Sequence, residues 1–303
     1  NKKIIKFSAI SIYVGMFLFF LSTLLSDVKF TSELFINSLN LENFAIIDNL
    51  KPLLTVTGTI FAYFSIILLN FGDFSRYVKN EKELKKGNLS VFLNLIIFSF
   101  LTVLIVLGAD IIFDKKLIAV QGLLTNPTDI IGKFDNTFLT FIALIFILVA
   151  SASTNLIANY VPTQNSLLNF FPNKLTLKST GFVIILLGSL FAIFWESILS
   201  QIGIISFIDT IGSFFGPIAG VIITDYYLIK KQNLINKDLF STKIDGAYYF
   251  SGGWHLKAIY SLLIGFIFAA ATIWNYQLNF LQSFSWIIGA FFSSLTYYLL
   301  ASK

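Results

Sequence analysis

The sequence predicts an all-α polytopic membrane protein, and three observations carry that prediction. Of 303 residues, 56% are hydrophobic and only 12% charged, about half the charged share of an ordinary soluble domain. Mean hydropathy is +0.81. The apolar residues run in blocks of about twenty, the length that crosses a bilayer core as helix. Those blocks do not alternate as the strands of a membrane barrel would. The same figures exclude a disordered chain, a nucleic-acid binder and an ordinary cytosolic enzyme. With no cysteine and one histidine, His255, disulfides, thiolate metal centres, cysteine nucleophiles and multi-histidine sites are excluded as well. The chain opens Asn1-Lys2-Lys3 and soon enters a full-length apolar span, so no signal peptide is expected.

Apolar runs bounded by charge or turn residues give eight expected helices. Span 7–26 follows Lys2, Lys3 and Lys6, and span 52–72 lies between Lys51 and Asp73. Span 89–112 is bracketed by Lys86 and Lys115, and span 137–160 follows Lys133. Spans 180–199 and 203–229 lie between Lys178 and Lys230, and spans 257–274 and 280–301 complete the chain. Helices are required throughout because lipid cannot satisfy exposed backbone groups. The connecting segments 27–51 and 113–136 have room for short surface helices, and nothing in them reads as a separate domain.

Charge sets the expected orientation. Eight spans place sixteen of the 21 basic residues on the side where the chain starts and five on the other. Cytoplasmic segments carry the excess of Lys and Arg, so the chain start and the loop Asp73–Gly87 are expected in the cytoplasm. The net charge of +5 therefore reports topology rather than nucleic-acid binding.

Polar groups inside apolar spans are costly and mark candidate sites. The fourth span holds Ala150-Ser151-Ala152-Ser153-Thr154-Asn155 and, further on, Asn159. Two readings fit this run. Small and hydroxyl residues let helices pack closely; alternatively, Ala150, Ser153 and Thr154 share one helix face, where a carbonyl and two hydroxyls form part of an oxygen cage for a hard cation. On an ideal helix Asn159 is rotated about 140° from Thr154, so both serve one cavity only if the helix bends near Pro162, or if ion and substrate lie on different sides. The second span carries Phe61, Tyr63 and Phe64 and ends in Gly72-Asp73-Phe74-Ser75-Arg76, where Arg76 offsets a carboxylate at a helix C-terminus. In a chain with 35 Phe, a single ring reads first as lipid-facing or core. The sixth span contains Asp209, then Gly216-Pro217, a kink or close-packing signal, and Asp225 at its end. Asp209 lines a wet vestibule or sits solvated at a helix end. His255, beside Gly252-Gly253-Trp254, reads as interfacial.

In this order, Asn70-Phe71-Gly72-Asp73-Phe74-Ser75-Arg76-Tyr77, Ser153-Thr154-Asn155-Leu156-Ile157-Ala158-Asn159, Gly216-Pro217-Ile218-Ala219-Gly220 with Asp225-Tyr226-Tyr227, and Gly252-Gly253-Trp254 resemble the nucleobase:cation symporter-1 family. Its members are permeases for cytosine, purines, uracil, thiamine, allantoin and hydantoins. The resemblance covers nearly the whole chain. It implies the leucine-transporter fold, in which two inverted five-helix repeats surround a midplane site. The eight spans resemble family helices 5 to 12, within a single transporter domain over 1–303: 7–26 closes the first repeat, 52–229 forms the second, and 257–301 adds two C-terminal helices. Helices 1 to 4 are expected to be missing.

The resemblance also implies roles. Ala150, Ser153 and Thr154 match positions that bind sodium. Asn159 matches an amide that bonds the substrate ring. Phe64 stands where a Trp commonly stacks on the heterocycle, and Tyr63 replaces a small residue beside it. Asp73, Arg76, Gly216, Pro217 and Asp225 become gate or structural elements. The expected function is symport of a planar heterocycle with Na+ or H+ by alternating access, with no cofactor, no metal beyond that sodium site and no catalytic residue. Expected partners are the small heterocycle and the bilayer, without nucleic acid or an obligate protein, in a bacterial inner membrane. The alternative is an amino-acid or other small-solute symporter on the same fold, or a non-transporting membrane subunit.

Overall fold

The computed structural model describes residues 2–26, 46–113, 131–132, 136–171, 174–239, 241 and 243–302. Among the described residues the architecture is helical, with one isolated bridge between Ser251 and Trp254 and no longer strand. In chain order the helices are α1 (Lys2–Ser26), α2 (Ile46–Leu69), α3 (Phe71–Ser75), α4 (Glu81–Phe113), α5 (Thr137–Asn155), α6 (Val161–Phe170), α7 (Leu177–Ile202), α8 (Ile204–Thr224), α9 (Leu256–Trp274) and α10 (Ser285–Ala301). Two π segments interrupt this regularity: Leu156–Tyr160 joins α5 to α6, and Asp225–Ile229 extends α8. A 3₁₀ stretch, Tyr276–Phe284, leads into α10.

Among the described residues, 7 helical stretches are long and apolar enough to cross a bilayer: Pro52–Leu69, Glu81–Val106, Thr140–Phe170, Leu177–Trp195, Ser206–Ile229, Leu256–Trp274 and Tyr276–Ala301. The eighth expected span, 7–26, is helical as part of the 25-residue α1, within which Ala9–Leu21 is an apolar helical stretch. Most of the expected connecting segments 27–51 and 113–136 lies outside the described residues.

Two boundaries differ from expectation for identifiable reasons. The loop expected over Asp73–Gly87 is short, because α4 already begins at Glu81. Asn80 caps it, its Oδ1 accepting from the Glu83 amide at 2.9 Å. Glu81 pairs with Lys85 at 2.8 Å and Glu83 with Lys86 at 3.2 Å, carboxylates that also favour the positive end of the helix. Likewise the fourth span does not stop at 160: the helix continues through the π segment and α6 to Phe170.

The chain divides into two compact units, Asn1–Phe44 with Asp73–Ile184, and Ala45–Gly72 with Ile185–Lys303. In the first, α1 packs on α4 and α5, and the Tyr13 hydroxyl donates to Asn94 Oδ1 at 2.8 Å. The amide of Gln164 in α6 donates to the Tyr160 hydroxyl at 3.0 Å and to the Leu177 carbonyl at 3.1 Å, which ties α6 to the start of α7. Along α4, the apolar side chains Phe92, Leu93, Ile96 and Ile97 are exposed on adjoining sides of the helix. That surface suits hydrocarbon, not water.

The second unit is organised on α8, which packs against α2, α9 and α10. Gly212, Gly216 and Gly220 recur every fourth residue and so line one face. There is no room on that face for a side chain. A Cβ on Gly216 would overlap the Trp286 carbonyl, one on Gly212 the Ala62 side chain, and one on Gly220 the Ala290 carbonyl and Ser293 hydroxyl. From α10, Gly289 meets the ring of Pro217, and the Ser293 hydroxyl donates to the Pro217 carbonyl at 2.9 Å. Small residues let backbones approach where the hydrophobic effect gives no advantage to helix contact over lipid contact. Buried hydroxyls are satisfied on their own helices: Ser65 donates to the Ala62 carbonyl at 2.6 Å, Ser213 to Thr210 at 2.6 Å and Thr272 to Ala269 at 2.7 Å.

This seam yields a paired test. Gly216→Ala should lower the thermal unfolding midpoint in detergent, at a cost of about 1–3 kcal/mol for overpacking. Gly188→Ala in α7, where an added Cβ meets nothing within 4 Å, should be neutral or stabilising by up to about 1 kcal/mol. Equal effects at both positions would contradict the close approach of α8 and α10.

Candidate substrate and cation sites

The hydroxyl-rich end of α5 lies in the first unit. Ala150 and Ser153 are half-buried, Thr154 is exposed, and the Ser153 hydroxyl donates to the Ala150 carbonyl at 2.9 Å. Two of the three oxygens expected to face a cation thus lie together on one turn. Immediately beyond begins the π segment. In it the Val161 amide donates to the Leu156 carbonyl, five residues back, and the next residue, Pro162, has no amide to return to the Ala158 carbonyl. The wider turn absorbs one extra residue, so positions five apart stack along the axis. Thr154 and Asn159 are five apart, Thr154 at the end of α5 and Asn159 within the π segment. Asn159 is exposed and its amide nitrogen donates to Asn155 Oδ1.

Asp73, in the short α3, has two partners. Arg76 Nη1 lies 3.6 Å from its Oδ1, and Asn165 Nδ2 of α6 donates to the same oxygen at 2.8 Å. The pairing with Arg76 was legible from their spacing; Asn165, 92 positions away, was not.

Tyr63 and Phe64 lie in the second unit, in the C-terminal half of α2. Their rings meet edge to face at 5.2 Å. Tyr63 is exposed and Phe64 half-buried, whereas Ala62 and Ser65 turn into the core. Phe61, not singled out as a contact, stacks on Trp286 at 5.8 Å. Gly216 and Pro217 are buried in the α8–α10 seam.

Asp225, at the end of α8, anchors a network that sequence reasoning missed. Lys230 Nζ lies 2.8 Å from Oδ2, and the Tyr297 hydroxyl donates to Oδ1 at 2.6 Å. The same hydroxyl lies 3.1 Å from His255 Nε2. His255 Nδ1 accepts from the Ala258 amide at 3.2 Å and caps α9. With Nδ1 accepting, the neutral ring carries its proton on Nε2, and the chain runs from His255 to Tyr297 to Asp225. Approach to His255 is set by Gly252 and Gly253, at φ 61° and 85°, a left-handed conformation that favours glycine. Burial pushes the His255 imidazole below its ordinary range, as do Lys230 and Lys257, while Asp225 pulls the other way.

The sign follows. A histidine held below its unfolded value stabilises the fold in its neutral form, and that contribution is lost as pH falls below about 6.5. His255→Asn keeps a capping side chain without a titrating ring. Its unfolding midpoint should stay close to the wild-type value at neutral pH and fall less in acid; an identical acid profile would remove His255 as the responsible group.

A sequence family described as "Permease for cytosine/purines, uracil, thiamine, allantoin" matches residues 1–299. The chain is 28% identical over 249 residues to an allantoin permease of Bacillus subtilis, covering 81% of this chain and 48% of that protein. It is 30% identical over 206 residues to a purine-uracil permease of Arabidopsis thaliana, covering 68% of this chain and 33% of that protein. A hydantoin permease of Microbacterium maritypicum is 30% identical over 125 residues, or 41% of this chain and 24% of that protein. Each of these relatives is named as a permease, not as an enzyme. The chain spans about half the length, or less, of these relatives. No solved structure matches it. By the match along almost its entire length, the chain belongs to the family of membrane permeases for cytosine and purines, uracil, thiamine and allantoin.

Proposed function

We propose that this protein carries a small planar nitrogen heterocycle, of the uracil, purine, allantoin or hydantoin class, across a bacterial inner membrane by symport with Na+ or H+. The observation that carries this reading is the π turn at Leu156–Tyr160. It follows directly on the Ala150–Thr154 oxygens and carries an exposed amide, Asn159. A hard cation takes carbonyl and hydroxyl oxygens, and an amide both donates to and accepts from the amide-like edge of such a ring. In the second unit, Phe64, with Tyr63 beside it, has the kind of aromatic face on which such a ring stacks. The names of the relatives as allantoin, purine-uracil and hydantoin permeases support the ligand class.

Transport would proceed by alternating access within two inverted repeats, of which residues 52–229 form the second. The Asp73–Arg76–Asn165 and Asp225–Tyr297–Lys230 clusters are polar locks that such a cycle breaks and remakes. Burial of Gly216 and Pro217 in a close seam supports a structural role for that pair. The distribution of basic residues supports a cytoplasmic chain start and Asp73–Gly87 segment.

Binding of uracil, allantoin and hydantoin should be titrated with and without sodium. Phe64→Ala should weaken the preferred ligand about tenfold or more, in line with aromatic stacking on a base, and Phe64→Trp should restore it. Thr154→Ala should abolish any sodium dependence while leaving sodium-free affinity within about twofold. Unchanged affinity in Phe64→Ala removes the ring from the site, and unchanged sodium dependence in Thr154→Ala removes the hydroxyl.

A further inference from the structure

Asp209 lies in α8, inside the stretch Ser206–Ile229 that is long and apolar enough to cross a membrane. Its side chain is completely buried, at 0% exposure, and it is the one acidic or basic residue buried among the described residues. The partners are all neutral. Thr59 Oγ1 donates to Oδ1 at 3.2 Å, and Gln282 Nε2 donates to Oδ2 at 3.4 Å and to Ser206 Oγ at 3.1 Å. The buried Ser285 hydroxyl donates to the Asp209 carbonyl at 3.1 Å. Among the described residues no Lys, Arg or His forms an ion pair with it.

Among the titratable groups whose side chains are described on the packed elements, Tyr63 of α2 is exposed. Tyr297 of α10 bonds Asp225 and His255, Lys230 pairs with Asp225, and Tyr276 of the 3₁₀ stretch, Tyr260 of α9 and Tyr298 of α10 are exposed. Lys257 of α9 is exposed too, and Asp225 lies sixteen residues along α8, about 24 Å away.

A carboxylate charge with two neutral donors, one of them long, is far from compensated in such an interior. Around it stand the hydroxyls of Thr59, Ser206 and Ser285 and the amide of Gln282, gathered from α2, α8, α10 and the 3₁₀ stretch. That is an oxygen-rich, singly charged cluster of the chemistry that takes one small monovalent cation. We propose that Asp209 is the anionic ligand of a second small-cation site, filled by a proton or by Na+ and confined to the second unit. This site draws only on residues of the second unit, and the proposal holds whether or not the Ala150–Thr154 oxygens bind sodium.

The test uses the full chain in detergent, in a His255→Asn background that removes the imidazole's own titration. The unfolding midpoint is followed against pH in sodium-free choline buffer, and against NaCl replacing choline chloride at fixed pH. Thr154→Ala is added to that background to remove any sodium effect of the Ala150–Thr154 oxygens, and the expected result there is a shift in one of the two titrations that Asp209→Asn abolishes. A shift with pH identifies the proton, and one with sodium identifies Na+. Should Asp209→Asn fail to fold, Thr59→Ala keeps the charge and should move the titration midpoint about fivefold in cation activity, the weight of one hydrogen bond to a charged group. A titration that Asp209→Asn or Thr59→Ala leaves unchanged, or no titration in the parent chain, overturns the proposal.

Discussion

Hydrocarbon offers no hydrogen bonds, and that single constraint governs most of what this chain does. Every backbone group must be satisfied within its own helix, which is why the described residues form helices and almost nothing else. Buried hydroxyls such as Ser65, Ser213 and Thr272 bond back to carbonyls one turn earlier on their own helix. Without water to drive association, α8 is held in close contact with α10 at Gly216 and Gly220 and with α2 at Gly212. The same constraint makes each departure from a regular helix informative. Both π segments, at Leu156–Tyr160 and Asp225–Ile229, coincide with candidate functional residues.

The positions of the helices were legible because apolar runs of membrane length are a strong one-dimensional signal. Seven of the eight expected stretches have the required length, and the eighth lies within a 25-residue helix. The early start of α4 was also written locally, in Asn80, Glu81 and Glu83, although a reading based on apolar runs passed over it. The pairing of Asp73 with Arg76 and the contact of Ser153 with the Ala150 carbonyl followed from helical spacing. What could not be read were partners distant in sequence. Asn165 reaches Asp73 across 92 positions, and Tyr297 reaches Asp225 across 72. No periodicity encodes those distances.

Asp209 shows the same limit from the other side. Its sequence neighbourhood left open a wet vestibule or a solvated helix end; the structure buries it fully among neutral partners. Burial is decided by α2 and the 3₁₀ stretch, which contribute Thr59 and Gln282 from 150 and 73 positions away. The π turn before Pro162 is a further case. Proline announces that one helical hydrogen bond is missing, but not whether the chain answers with a kink or with a wider turn. Here it widens, over the turn that carries Asn159.

The chemistry proposed for transport needs few charges, in keeping with a chain only 12% charged. Carbonyl, hydroxyl, amide and aromatic face suffice to bind a neutral flat ring and a small cation, and none of them carries a net charge into the membrane. The most direct test of the account is counterflow in proteoliposomes containing the protein and loaded with unlabelled uracil, allantoin or hydantoin. Transient accumulation of the same labelled heterocycle, competed by the others and not by amino acids, is the predicted result. Accumulation driven by amino acids, or by no heterocycle of the class, would contradict it.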